Sequence, residues 1–90
     1  VYFALFYEYV PDMLERRAPH RDAHLALVRR LHAEGRIALA GAFTPVDGAL
    51  LVFRVDAPAD VEAFVKADPY VQHGLVTSWR VREWSVVVGG

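Results

Sequence analysis

A histidine in the middle of an apolar helical stripe, and an aspartate at the end of another, are the residues of this chain best placed to do chemistry. His24 shares one helix face with His20, Leu27, Val28 and Leu31, the i, i+3, i+4, i+7 spacing of an amphipathic helix. Asp68 follows Val61, Phe64 and Val65 at the same spacing, and Pro69 directly after it drives it out of helical conformation. A buried imidazole needs partners for two ring nitrogens. Alone, His24 is satisfied by a backbone carbonyl and Asp68 reads as the start of an Asp-Pro turn. On two helices lying side by side, the carboxylate meets the imidazole instead. Such a pair fixes the tautomer, stabilises the imidazolium and leaves the second nitrogen free as a general base or acid.

The neighbours of His24 add to this. Arg21 lies three residues before it on the same face, where a guanidinium can hold a carboxylate or enolate through paired hydrogen bonds. Arg17 is near in sequence but reads better as an exposed arginine or as a partner of Glu15 or Asp22. His20 and His24 have the i, i+4 spacing of a zinc-binding helix, yet Arg21, Asp22 and Ala23 stand between them, so the usual glutamate is missing and a cation takes its place. No metal and no cofactor is called for. His32 and His73 read as solvated surface residues. Ser78 and Ser85 lack a nucleophile-elbow motif, and no glycine-rich phosphate loop is present.

These residues must be positioned by simple elements. Val1 to Val10 alternates as a strand, with Val1, Phe3, Leu5, Tyr7 and Tyr9 on one face and Tyr2, Ala4, Phe6 and Val10 on the other. Asp12 to Arg17 is read as a connection, and Pro19 opens a helix that runs from His20 to Glu34 and stops at Gly35. Arg36 to Phe43 and Ala49 to Val55 are strands joined by Thr44 to Gly48. Asp56 caps a second helix with Pro58 in its first turn, Tyr70 to Gly74 connects, and Leu75 to Val88 is a long last strand. The order strand, helix, strand, strand, helix, strand gives an α+β, ferredoxin-like βαββαβ arrangement. Its four-stranded antiparallel sheet carries both helices on one face. The other face is bare, and the first and third strands are apolar on both sides, so a second copy is expected to cover it as a homodimer.

The bulk properties agree. Ninety residues form a single domain, 1–90, with a small core, and a 54% hydrophobic composition exceeds what such a core absorbs. A net charge of −1 offers no field for nucleic acid or an anionic membrane. No apolar run approaches the roughly 20 residues of a membrane helix. The first ten residues lack the charged and cleavage features of a secretory signal, and the absence of cysteine fits a reducing compartment, so a cytoplasmic location is expected.

Arg21-Asp22-Ala23-His24-Leu25, the Glu34-Gly35-Arg36 turn, Gly41, Asp47-Gly48 and above all Asp68-Pro69-Tyr70 with Gly74 resemble the YciI-like (YCII) family along nearly the whole chain. The resemblance implies a dimeric α+β barrel with a His–Asp site that maps onto His24 and Asp68. It also implies a small-molecule chemistry: the family includes a dehydrochlorinase of a chlorinated hydroxyhydroquinone, and its fold relatives include muconolactone isomerases and cofactor-independent monooxygenases. The connection Thr44 to Gly48 is shorter than in many members and borders the expected cleft, so no substrate is carried over.

The expectation is a small cofactor-independent lyase or isomerase, of dehydrochlorinase type, acting on a small anionic substrate that is cyclic or aromatic. His24 moves a proton, Asp68 orients it, Arg21 holds negative charge, and Tyr7, Gly41 and Tyr70 line the pocket. Two alternatives stay open: a ligand-binding or accessory homodimer without catalysis, and a monooxygenase-like use of the same fold.

Overall fold

The structure is a computed structural model describing residues Val1–Gly90. Four strands, β1 (Tyr2–Tyr9), β2 (Ile37–Ala42), β3 (Gly48–Arg54) and β4 (Val76–Trp84), form one sheet in the order β2-β3-β1-β4, every neighbouring pair antiparallel. The main helices are α2 (Arg21–Ala33) and α3 (Pro58–Ala67), with short turns of helix at α1 (Met13–Arg16) and α4 (Pro69–Gln72). This is the ferredoxin-like α+β fold expected from the element order.

Alternation along β1 decides which face is which. Phe3, Leu5 and Tyr7 stand opposite Phe53, Leu51 and Ala49 of β3, and all six are buried. Residues paired across an antiparallel sheet share a face, so these point together toward the helices. Helix α2 adds Val28 and Leu31, and α3 adds Val61, Phe64 and Val65. Phe64 packs edge-on against Phe53 with ring centroids 5.2 Å apart. Burying each large apolar side chain contributes about 1.5–3 kcal/mol, and this layer holds the two helices against the sheet.

The opposite face carries Phe6, Leu50, Leu39 and Trp84, with no helix packed over it and the Arg80 guanidinium lying over the Phe6 ring. Leu39 is 72% exposed and Trp84 49%. Gly48 is required where β3 leaves the hairpin turn, because a Cβ there would run into the carbonyl oxygen of Tyr7.

Several boundaries differ from those read in the sequence. The stretch after β1 is not a plain connection: Met13, 1% exposed, anchors α1 into the core. Helix α3 is capped not at Asp56 but at Ala57, whose N–H donates to the Asp60 side chain at 3.2 Å, so the acidic residue acts from inside the first turn. Tyr70 belongs to the helical turn α4, nucleated by Asp68 and Pro69. Strand β4 stops at Trp84 because its partner β1 starts at Tyr2, directly opposite, and leaves nothing further to pair with.

Candidate active site

Asp68 lies at the junction of α3 and α4. Pro69 forbids the helical conformation one residue earlier, and Asp68 adopts φ −70°, ψ 120°, which ends α3 and caps α4 in the same step. Its side chain is fully buried, at 0% exposure. Transfer of a carboxylate out of water costs several kcal/mol unless donors replace the lost hydration. Three do. The Tyr70 N–H donates to Oδ1 at 3.0 Å, the Tyr7 hydroxyl donates to Oδ2 at 2.8 Å, and His24 Nδ1 lies 2.7 Å from Oδ1.

Helix α2 places His24 on its buried face beside this carboxylate, at 8% exposure. Since Asp68 serves as acceptor to all its neighbours, the imidazole donates a proton from Nδ1, and Nε2 has no hydrogen-bond partner within the chain. The ring plane is fixed as well: Tyr70 stacks on it with centroids 3.8 Å apart and 6° between planes. Asp68 and Tyr70 together set the orientation of the imidazole and with it the direction of Nε2.

The exposed edge of His24 meets a cavity of about 210 Å³ between α2 and the β2–β3 edge of the sheet. One wall is Arg17, Arg21, His24, Leu25 and Val28; the facing wall is Ala40, Gly41, Ala42, Ala49 and Leu51, closed at one end by Tyr9 and Tyr70. Small residues on β2 leave the space that larger side chains would fill. A larger hollow of about 630 Å³ opens at the end of β1, beside Glu8 and Ser78. It contains no histidine, and its Glu8 carboxylate already accepts from the Ser78 hydroxyl at 2.8 Å, whereas the smaller cavity is the one lined by His24.

Most of the residues singled out in the sequence converge here. His24 and Asp68 pair directly, and Arg21, Gly41 and Tyr70 line the cavity. Tyr7 does not line it: its ring is buried behind Asp68, and its hydroxyl supports the carboxylate. Burial first, and the Asp68 charge second, hold the Tyr7 phenol protonated far above its ordinary range, which keeps it a donor. Arg17, read as an ordinary surface arginine, is part of the lining, because the short helical turns between β1 and α2 fold it back over the cavity. Tyr9 was missed as a site residue although it shares the face of Tyr7 two residues earlier, a period-two signal present in the sequence. His20 stacks on His73 at 3.8 Å rather than joining His24, and no three His, Cys, Asp or Glu side chains converge anywhere in the chain. His32 is exposed and donates from Nδ1 to the Ile37 carbonyl at 2.8 Å. No helix is long and apolar enough to cross a membrane.

The sequence model of the YCII-related domain matches residues 1–85. The chain belongs to that family. This YCII-domain chain is 33% identical over 86 residues to the protein YciI of Escherichia coli O6:H1, an alignment covering 84% of this chain and 88% of the relative. It is 26% identical to an uncharacterised protein of Haemophilus influenzae, over 97% of this chain and 99% of the relative. Among solved structures, its fold is similar to that of TftG from Burkholderia phenoliruptrix AC1100, with TM-score 0.82, 24% identity and 94% of each chain covered. TftG is described as a 5-chloro-2-hydroxyhydroquinone dehydrochlorinase, in complex with 2,5-dihydroxybenzoquinone.

Proposed function

We propose that this YCII-domain protein is a small enzyme of the lyase or isomerase type, in which His24 moves a proton on a small, cyclic, anionic substrate. The observation that carries this reading is the buried His24–Asp68 pair, 2.7 Å apart, with the second ring nitrogen left free at the edge of a cavity. A cavity of about 210 Å³ suits a single substituted ring, since one of about 150 Å³ accepts benzene. The bound 2,5-dihydroxybenzoquinone of the structural neighbour TftG supports a ligand of this size.

In the proposed step, Nε2 takes a proton from a carbon adjacent to a carbonyl. The C–H electron pair moves into an enolate, whose oxygen faces Arg21. The enolate then collapses by taking the proton back at another carbon, which is isomerisation, or by expelling a leaving group as an anion, which is elimination. Asp68 holds the ring and lies beside the positive charge that develops on it, while Tyr7 holds Asp68.

Turnover of a panel of cyclic enols and hydroxylated rings, 5-chloro-2-hydroxyhydroquinone among them, tests the reading. His24→Ala should lose about 10²–10⁴-fold in kcat, the usual worth of a general acid–base group. A His24→Ala variant that turns substrate over at the parent rate refutes it. Asp68 also caps α4, which favours a second reading, a binding protein in which the pair serves structure. On that reading ligand binds without turnover, and Asp68→Asn changes stability alone.

The assembly belongs to the same proposal. A second copy packed on the bare sheet face, over Phe6, Leu39, Leu50 and Trp84, would remove from water the large apolar surface this face exposes.

A further inference from the structure

Two phenol hydroxyls at one end of the cavity have no partner. Tyr9 is 9% exposed and Tyr70 2%, and both line the cavity. Every fully enclosed polar side-chain atom in the chain has a hydrogen-bond partner. The hydroxyls of Tyr9 and Tyr70 have none, in contrast to Tyr7, which is bonded to Asp68, and Tyr2, which accepts from Arg54. They are therefore the donors in this cavity left open to an incoming molecule.

The same end of the cavity is positive. Arg17 and Arg21 line it, and neither forms an ion pair, while the arginines that do are Arg16 with Asp12 and Arg36 with Glu34 and Asp60. The two guanidinium charges reach both phenols: burial raises the pKa of Tyr9 and of Tyr70 and so opposes their ionisation, while Arg17 and Arg21 pull each pKa back down. Burial wins for both, so both remain O–H donors at neutral pH rather than competing anions. The cations are thus left without a negative partner of their own.

We infer that Tyr9, Tyr70, Arg17 and Arg21 form an oxyanion subsite, which binds the anionic oxygen of the substrate at the end of the cavity closed by Tyr9 and Tyr70. Tyr9 and Arg17 are then specificity residues of this enzyme. The inference rests on the proposed function for its location and goes beyond it in naming the recognised group, an anionic oxygen carried on a small ring. Carboxylate and ring phenolate or enolate share this chemistry.

Binding of para-nitrophenol and benzoate tests the subsite without turnover. Ionised para-nitrophenol absorbs visible light, so its bound state is read directly. The expected result is that bound probe is more ionised than free probe at the same pH, and that benzoate displaces it. The neutral isostere benzamide should compete at least tenfold less well than benzoate. Tyr9→Phe, which keeps the ring, and Arg17→Gln should each weaken binding about tenfold, the worth of one charge-assisted hydrogen bond. Arg17→Lys should recover part of the loss, which a purely structural role for Arg17 would not predict. Tighter binding of benzoate assigns the anion as a carboxylate, and tighter binding of para-nitrophenolate assigns a ring oxygen; either supports the subsite. The inference is overturned if benzamide binds as well as benzoate, if Tyr9→Phe and Arg17→Gln leave binding unchanged, or if neither probe binds. Failure here and failure of the proton-transfer reading are separate. Loss of the colour shift in Tyr9→Phe with full turnover in His24→Ala keeps the subsite and removes the catalyst, and the converse pattern does the opposite.

Discussion

Removing one oxygen from Tyr7 should destabilise this protein by about 2 kcal/mol, although the residue does not line the cavity beside His24 and is almost wholly buried. Its hydroxyl donates a 2.8 Å bond to Asp68 Oδ2, the carboxylate is 0% exposed, and Tyr7 itself is 2% exposed. In Tyr7→Phe the ring still packs, and no water can replace the lost donor. A hydrogen bond to a charged group contributes about 1.5–3 kcal/mol. Breaking a buried ion pair outright costs about 3–5 kcal/mol. Here His24 and the Tyr70 N–H still serve Oδ1, so the lower range applies. For a domain of this length, about 2 kcal/mol corresponds to a fall in Tm of about 8–16 °C. Urea unfolding at one protein concentration should show the midpoint falling by about 1–2 M with the slope unchanged. A second variant isolates the cause. In an Asp68→Asn background the acceptor is neutral, and Tyr7→Phe should then cost less than about 1 kcal/mol. Equal costs in the two backgrounds, within about 0.5 kcal/mol, would refute the argument that Tyr7 acts by supporting the Asp68 charge.

Two further outcomes follow from the same geometry. Burial holds the Tyr7 and Tyr9 phenols protonated in the folded state, whereas in the unfolded chain they ionise near pH 10. Stability is therefore intact below about pH 10 and falls as pH rises beyond it, by up to about 1.4 kcal/mol per pH unit for each phenol. Urea titrations across this range should show that slope, shallower by one proton in Tyr7→Phe, and a flat profile would contradict the burial of these rings. If a second copy covers the bare sheet face, Leu39→Glu, at a residue 72% exposed in the single chain, should yield monomers by sedimentation velocity while the parent sediments as a dimer.

The two stripes that frame the site were legible without coordinates. Apolar periodicity placed His24 and Asp68 on buried helix faces, and the proline after Asp68 fixed where the second helix ends, because both signals depend on neighbours within a few residues. The order of elements limited the fold to a four-stranded antiparallel sheet with helices on one side, since few other connections bury both stripes. Less legible were the short pieces. Met13 anchors a helical turn with one buried side chain, and Ala57 is capped by Asp60 from within the helix, neither of which leaves a repeating pattern to detect.

What the sequence by itself determined, then, is the pair of polar residues on apolar faces and the frame that carries them. Tertiary structure alone decided their surroundings. It turned Tyr7 from a pocket residue into the support behind Asp68, stacked Tyr70 flat on His24, and folded Arg17 and Tyr9 around one cavity. These contacts join residues up to 61 positions apart, and their distances and angles are set by how α2, α4 and β1 pack against each other. Local pattern shows which face a side chain occupies; only the packed layers show what it meets there.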